Sequence, residues 1–278
     1  MTAVSSTSAE AMTYETLPAR ALGGELGPDP AGLPVAVAFT TRQAVRHDGR
    51  GTGYRNEVLG LRVGAAVGSC AVEPGALDDG VVEDCAGARV DRLLRHPLTP
   101  VRVAALDAYL MHVTPHTPAH GAVPVPVPVG TSLEKSRSRA RAVVGLLDLP
   151  PGATVLAVGV VNSLLEALRA RRLGYIPCDF KGGVTEWDED VVTDALSEAH
   201  RCDALLVSGM TLGNGTFEPL RRHALTHGKQ LVMFAQTGSS VLPRFLGHGV
   251  SAVCAEPYPF FWLDGGPSTL HVYRGGVR

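Results

Sequence analysis

The most informative polar residues lie in the glycine-rich segment 208–216, which reads SGMTLGNGT. It contains Thr211, Asn214, Gly215 and Thr216, and it stands between a buried strand-like run and the start of a helix-like run. Free backbone N–H groups and hydroxyls at a helix start can hold an anionic group. A flexible turn capped by Asn214 or Thr216 would use the same residue types, so both interpretations stay open.

A second hydroxyl-rich segment, QTGSS at 236–240, also precedes a helix-like run. Ser239 and Ser240 are its candidate ligand-binding residues. Two adjacent loops of this kind would form one polar cradle, although small residues at a helix start are also ordinary capping residues.

Three charged residues follow predicted strands and are candidates for acid or base catalysis: Asp179, Lys181 and Glu256. Asp179 stands where an acidic residue often contacts a ribose. Lys181 follows it and is one of the three lysines in the chain, at 135, 181 and 229. A surface turn closed by the two glycines that follow Lys181 is the alternative.

His112, His116 and His120 recur every four residues. On a continuous helix this spacing would align three imidazoles for a divalent metal ion. Pro115 and Pro118 interrupt such a helix, so a metal site would have to be built from a loop, and solvated loop histidines are the alternative.

The elements that would position these residues follow from hydrophobic patterning. From Thr154 onward, strand-like runs alternate with helix-like runs, which predicts a mostly parallel, doubly wound, Rossmann-like α/β sheet with its ligand site beyond the carboxyl strand ends. Residues 13–121 show strands followed by helices and predict a smaller α+β domain. The Pro/Val segment 122–130 is predicted to be a connector or an edge strand, and the Rossmann-like domain to cover 131–278. Thr131 and Glu134 form a capping-box pattern at its first helix.

Composition excludes several classes of function. The 278 residues carry a net charge of −2, so we expect no nucleic-acid partner. No apolar run is long enough for a membrane helix, and residues 1–12 are small, polar and predicted to be disordered. Five widely spaced cysteines favour reduced thiols and a soluble, cytoplasmic protein. Gly159 stands without the later glycines of a dinucleotide fingerprint, so no standard NAD or FAD site is expected.

The chain from about Tyr14 to about Gly265 resembles the family named for heavy-metal chelation, whose C-terminal domain of unknown function is Rossmann-like. The family's T-G-T-x-L-x-N-G-T pattern and the turn after it are matched by Gly209, Thr211, Leu212, Asn214, Gly215, Thr216, Ser240, Leu242, Pro243, Gly249 and Val250. HPLTPVRVAALDAYL resembles the end of the family's first domain, which has an enolase N-terminal-like fold. Asp107 stands where the family has Asn, and Gln236–Gly238 replaces its Gly-Pro.

Three functional hypotheses follow. The first is a two-domain protein that binds a metal ion, a metal chelate or a small anionic metabolite in the interdomain cleft; the metal is implied by the resemblance. The second is an enzyme of small-metabolite biosynthesis that acts on an amino-acid-like or adenosylmethionine-derived substrate. The third is a scaffold subunit that forms a homodimer or larger oligomer through the aromatic segment at 258–262, which would otherwise wall a pocket.

Overall fold

The computed structural model of the protein describes residues 12–51 and 53–275. The segment 1–12 predicted to be disordered lies, apart from Met12, outside these residues. Helix α1 (Thr16–Leu22) precedes a three-stranded antiparallel sheet of β1 (Val35–Val45), β2 (Tyr54–Val63) and β3 (Ala66–Val72) in that order. Helices α2 (Asp79–Cys85), α3 (Val90–Leu93) and α4 (Thr99–Val113) follow, and α4 packs against β2 and β3.

The rest of the described chain builds a seven-stranded sheet. Its elements are β4 (Val123–Val127), α5 (Ser132–Val144), β5 (Thr154–Val158), α6 (Asn162–Ala170), β6 (Gly174–Cys178), α7 (Ala195–Glu198), β7 (Ala204–Ser208), α8 (Met210–Gly213), α9 (Phe217–Thr226), β8 (Gln230–Ala235), β9 (Ala252–Ala255) and β10 (Ser268–Arg274). The strand order is β4-β10-β9-β8-β7-β5-β6. Strands β6, β5, β7, β8 and β9 pair in parallel, whereas β10 is antiparallel to both of its neighbours. The predicted fold class, a mostly parallel α/β sheet preceded by a smaller α+β unit, is confirmed.

Of the two alternatives for the Pro/Val segment, a connector or an edge strand, the structure shows the edge strand, because Val123–Val127 forms β4 beside β10. Proline is tolerated there because an edge strand leaves one side of its backbone unpaired. The helix-like run after 236–240 differs from the prediction, because it contains only a short 3₁₀ turn at Leu242–Phe245. Strand β10 was not predicted. As domain boundaries, 13–121 and 131–278 stay predictions.

Two hydrophobic clusters cover the two faces of the large sheet. On β5, Val155 and Ala157 belong to the cluster under α5 and α6, whereas Leu156 belongs to the cluster on the opposite face. That second cluster continues into the first sheet and includes Leu59, Leu61 and the buried residues of α4. The two sheets are therefore joined by one core. In the described part of the chain, no helix combines the length and apolar character that crossing a membrane requires.

Candidate functional site

A cavity of about 530 Å³ lies at the carboxyl ends of the parallel strands, between the two sheets. Strand β5 stands between β6 and β7, so the chain connections diverge to either side of it at this point. Ligands of open α/β sheets bind at such a switch point. Tyr54, Asn56, Val58, Ala71 and Glu73 of the first sheet and its following loop close the other side. The volume suits a small metabolite.

Arg139 of α5 is a charged residue of the cavity lining, and only 5% of its side chain is exposed. Its Nε donates to Oε1 of Glu256 at 2.7 Å. Its guanidinium carbon lies 4.8 Å from the centre of the Phe234 ring. The other carboxylate oxygen of Glu256 accepts a hydrogen bond from Nε2 of Gln236 at 3.2 Å. Arg139 is thus fixed in position by an ion pair on one edge and an aromatic ring on its face.

The two terminal amino groups of Arg139 have no hydrogen-bond acceptor among residues 12–51 and 53–275. The fully buried side-chain atoms without a partner are elsewhere, on Tyr14, Glu57, Asn162 and His271. The amino groups of Arg139 therefore reach the solvent of the cavity. A guanidinium binds carboxylate and phosphate through paired N–H donors, so this arrangement presents an anion-binding group inside the cavity.

The segment that leads from β5 into α6 also borders the cavity, through Val160 and Val161. Val161 is the N-cap residue, and its side chain makes no capping hydrogen bond. Within the described chain, the backbone N–H groups of Val161, Asn162 and Ser163 have no acceptor. Free N–H groups at a helix start carry a partial positive charge and attract anions.

The three predicted acid–base residues occupy different environments. Asp179 lines the cavity, and its carboxylate accepts from the backbone N–H of Val160 at 3.3 Å and of Lys181 at 3.0 Å. Lys181 lies at the rim, where its exposed ammonium is 3.9 Å from a carboxylate oxygen of Glu73 across the cleft. Glu256 lies behind Arg139 and does not line the cavity. Asp179 therefore ties two loops together, and Glu256 orients the arginine.

Cys178 lies next to Asp179 and lines the same cavity. Burial, reinforced by the carboxylate of Asp179, raises the pKa of the Cys178 thiol to about 11. At neutral pH the side chain is a protonated thiol, which is a weak nucleophile.

The glycine-rich segment contains the short helix α8 rather than an open loop. Thr211, Asn214 and Thr216 line the cavity. The hydroxyl of Thr211 donates to the carbonyl of Ser208 at 2.8 Å. Oδ1 of Asn214 accepts from the Thr216 backbone N–H at 3.1 Å and from its hydroxyl at 2.7 Å. Gly215, with φ of +80°, makes the turn between them and is not part of the lining. These side chains shape the cavity wall, and the hydrogen bonds described here all lie within residues 208–216.

Ser239 and Ser240 do not reach the cavity. Both are buried at the junction of the two sheets, where the backbone N–H of Ser240 donates to Oδ1 of Asp107 at 2.6 Å. The other oxygen of Asp107 accepts from the Ser69 backbone N–H at 2.9 Å. Both hydroxyl-rich loops therefore contribute to the cavity, the first through Thr211, Asn214 and Thr216 and the second through Gln236 and Thr237, whereas Ser239 and Ser240 join the sheets.

The structure does not bring the histidines at 112, 116 and 120 together. His112 and His120 are exposed, whereas His116 is buried against His271 and its Nδ1 lies 2.7 Å from the hydroxyl of Tyr273. Burial, together with the neighbouring His271, lowers the pKa of His116 to about 3, so the imidazole is neutral. Over residues 12–51 and 53–275, no group of three or more His, Cys, Asp and Glu side chains could hold a metal ion. Helix α4 ends at Val113, which separates His112 from the other two.

Aromatic side chains form another part of the cavity wall. Phe234, Phe261, Trp262 and Tyr54 line it, and the rings of Tyr54 and Trp262 meet edge to face with centroids 6.1 Å apart. Nε1 of Trp262 donates to the side-chain oxygen of Gln43 on β1 at 2.8 Å. The aromatic segment at 258–262 thus contributes to the wall and contacts the first sheet.

The β1–β2 hairpin is held over the large sheet by charge. Arg50, in the hairpin loop, donates to Glu166 of α6 at 2.6 Å and to Glu186. Glu166 also pairs with Arg137 of α5 at 2.9 Å. These contacts keep Tyr54 and its neighbours on the cavity.

Sequence patterning did not identify Arg139. The capping box at Thr131 and Glu134 is present and begins α5 as predicted. Arg137, Arg139 and Arg141 alternate along this helix, but only Arg139 is turned inward. A signal for this exists: Ala140, Val143 and Val144 are the apolar residues of the buried face, and Arg139 lies four residues before Val143. The partner carboxylate at position 256 was not identifiable from local spacing.

Comparison with known proteins establishes the fold. The chain is similar to a crystal structure of a protein with unknown function from the DUF364 family of Pyrococcus horikoshii, with a TM-score of 0.54 and 14% identity over 86% of this chain and 85% of that one. A mandelate racemase/muconate lactonizing protein from Herpetosiphon aurantiacus matches with a TM-score of 0.40 and 12% identity over 90% of this chain and 100% of that one. No protein-family model matches the sequence, and no curated protein matches it. The first likeness supports a two-domain α/β fold and no specific chemistry.

Proposed function

We propose that this protein binds a small anionic metabolite in the cavity between its two sheets, with Arg139 as the residue that holds the anion. The observation that carries this proposal is the buried guanidinium whose Nε is bonded to Glu256 and whose amino groups are left free toward the cavity. Charged N–H donors that face a cavity bind an anion there through charge-assisted hydrogen bonds, which are stronger than those to water.

The remaining lining supports an organic ligand rather than an inorganic ion alone. The rings of Phe234, Phe261 and Trp262 offer flat apolar surfaces, and the cavity has room for a metabolite of ordinary size. The donor set does not fit a resident metal ion, because no histidine lines the cavity and no suitable cluster exists among the described residues. A metal chelate would bind through the anionic groups of its chelator.

The test is calorimetric titration of the full chain with two anions, inorganic phosphate and malonate, at matched ionic strength. Replacing Arg139 alone would leave Glu256 as an unpaired buried carboxylate, which costs about 3–5 kcal/mol of stability. The informative variant is therefore the pair Arg139→Met with Glu256→Gln, which removes both charges. It should weaken binding of whichever anion binds by about tenfold or more, since charge-assisted hydrogen bonds are lost.

Arg141→Met is the matched control, because Arg141 lies on the same helix, is exposed and does not line the cavity. It should leave anion affinity unchanged. If neither anion binds the wild-type chain, or if the double variant binds as tightly as wild type while remaining folded by circular dichroism, the proposed function is wrong.

A further inference from the structure

Two sets of anion donors meet at one end of the cavity. Ser136 and Arg139 lie three residues apart on α5, on the same face and about 4.5 Å apart along the helix axis. The hydroxyl of Ser136 lies 2.8 Å from the hydroxyl of Ser163, in the first turn of α6. Helices α5 and α6 are therefore neighbours here, and Arg139 of α5 and Val161, the N-cap of α6, both line the cavity.

The number of unused donors at this place is large. The two amino groups of Arg139 and the backbone N–H groups of Val161, Asn162 and Ser163 have no acceptor within residues 12–51 and 53–275. A phosphate monoester gathers three terminal oxygens and up to two negative charges on one phosphorus atom, whereas each carboxylate of a dicarboxylate such as malonate offers two oxygens and one charge. Helix α6 is nine residues long, and its dipole adds to the attraction at its start.

We infer that the anionic group bound in the cavity is a phosphate group, seated between the Arg139 guanidinium and the first turn of α6, so that the ligand is a phosphorylated small molecule. This inference rests on the proposed function and specifies its ligand class. The chain between β5 and α6 contains Gly159 alone, so it lacks the glycine-rich fingerprint that a dinucleotide pyrophosphate requires. A single phosphate group does not require that fingerprint. The aromatic side chains of the cavity wall would then contact the remainder of the ligand.

The backbone geometry allows a direct test of the helix N–H groups. Proline is accepted at the first position of a helix, where it removes an N–H that has no partner in the helix. The first position of α6 is Asn162. Val161, the residue before Asn162, has φ −127° and ψ 110°, close to the extended conformation favoured before proline. Asn162→Pro therefore removes one proposed phosphate donor while keeping the helix, and Asn162→Ala controls for loss of the side chain.

The experiment measures the affinity of inorganic phosphate and of malonate for the wild-type chain and for both Asn162 variants. We expect phosphate to bind about tenfold or more tightly than malonate, and Asn162→Pro to bind phosphate at least severalfold more weakly than Asn162→Ala. Equal or tighter binding of malonate overturns the inference, and so does equal phosphate affinity of the two variants.

Failure of this inference is distinguishable from failure of the proposed function. If malonate binds best and its binding depends on Arg139, the anion site stands and the phosphate assignment is wrong; if no anion depends on Arg139, both are wrong. Should Asn162→Pro not fold, wild-type amide resonances decide between the outcomes. Downfield displacement of the Val161–Ser163 amide protons by phosphate supports the seat on α6, and unmoved resonances in the phosphate-bound protein refute it.

Discussion

Asp107 makes the junction between the two sheets sensitive to pH. Its side chain is fully buried in α4 and accepts backbone hydrogen bonds from Ser69 on β3 and from Ser240 after β8. Burial raises the pKa of Asp107 to about 7 from the usual 3.8, although the backbone hydrogen bonds oppose that shift. The folded protein therefore holds a proton on Asp107 in a pH range where the unfolded chain has lost it.

The magnitude follows from the two pKa values. Each pKa unit is worth about 1.4 kcal/mol, and the difference of about three units gives about 4 kcal/mol. Because the pKa is higher in the folded state, this stabilisation is fully present below about pH 4 and decreases as pH rises toward 7. Above pH 7 both states are ionised at this residue, and the loss is complete.

The assay is urea denaturation of wild type and Asp107→Asn at several pH values between 4 and 9. The difference between the two free energies of unfolding isolates the titration of Asp107, because asparagine does not ionise. As the pH rises to about 7, the free energy of unfolding of wild type should fall by about 1.4 kcal/mol per pH unit relative to that of the variant. Above about pH 7 the difference should stay constant. Asp203→Asn is the control, since the Asp203 carboxylate is exposed yet accepts a backbone N–H from Thr154 at 2.8 Å. Parallel stability curves for wild type and Asp107→Asn between pH 5 and 7 would refute the reasoning.

Two further predictions concern packing and thiol chemistry. A Cβ at Gly209 would lie 2.3 Å from the carbonyl oxygen of Thr237, so Gly209→Ala should lower the free energy of unfolding by about 3 kcal/mol. Gly215→Ala has open space and only an unfavourable φ, and it should cost about 1 kcal/mol in the same denaturation experiment; equal losses would contradict this account. All five cysteines are buried and free, and burial holds the pKa of Cys178 at about 11. A colorimetric disulfide reagent at pH 8 should therefore modify no thiol of the native protein within minutes, and all five thiols in guanidinium chloride. A single fast-reacting thiol in the native protein would show that the Cys178 side of the cavity is more open than described.

The sequence determined the elements and the edge of the sheet where ligands would bind. Alternation of strand-like and helix-like runs after Thr154 depends on neighbouring residues, as does the Thr131–Glu134 cap that begins α5. Parallel strands then place their carboxyl ends on one edge whatever the details of packing. The sequence pattern did not predict strand β10, because the position of β10 between β4 and β9 depends on pairing with strands distant in the chain.

The chemistry of the candidate site was decided by tertiary structure. Thr211, Asn214 and Thr216 reach the cavity, whereas Ser239 and Ser240, which are also small polar residues in a loop after a parallel strand, join the two sheets instead. Glu256 is an ion-pair partner because α5 brings Arg139 to it from 117 residues away. Local patterns specify backbone conformation through short-range sterics and hydrogen bonds. Which charge is buried, and which donors remain free for a ligand, depends on groups that meet only when the sheets pack together.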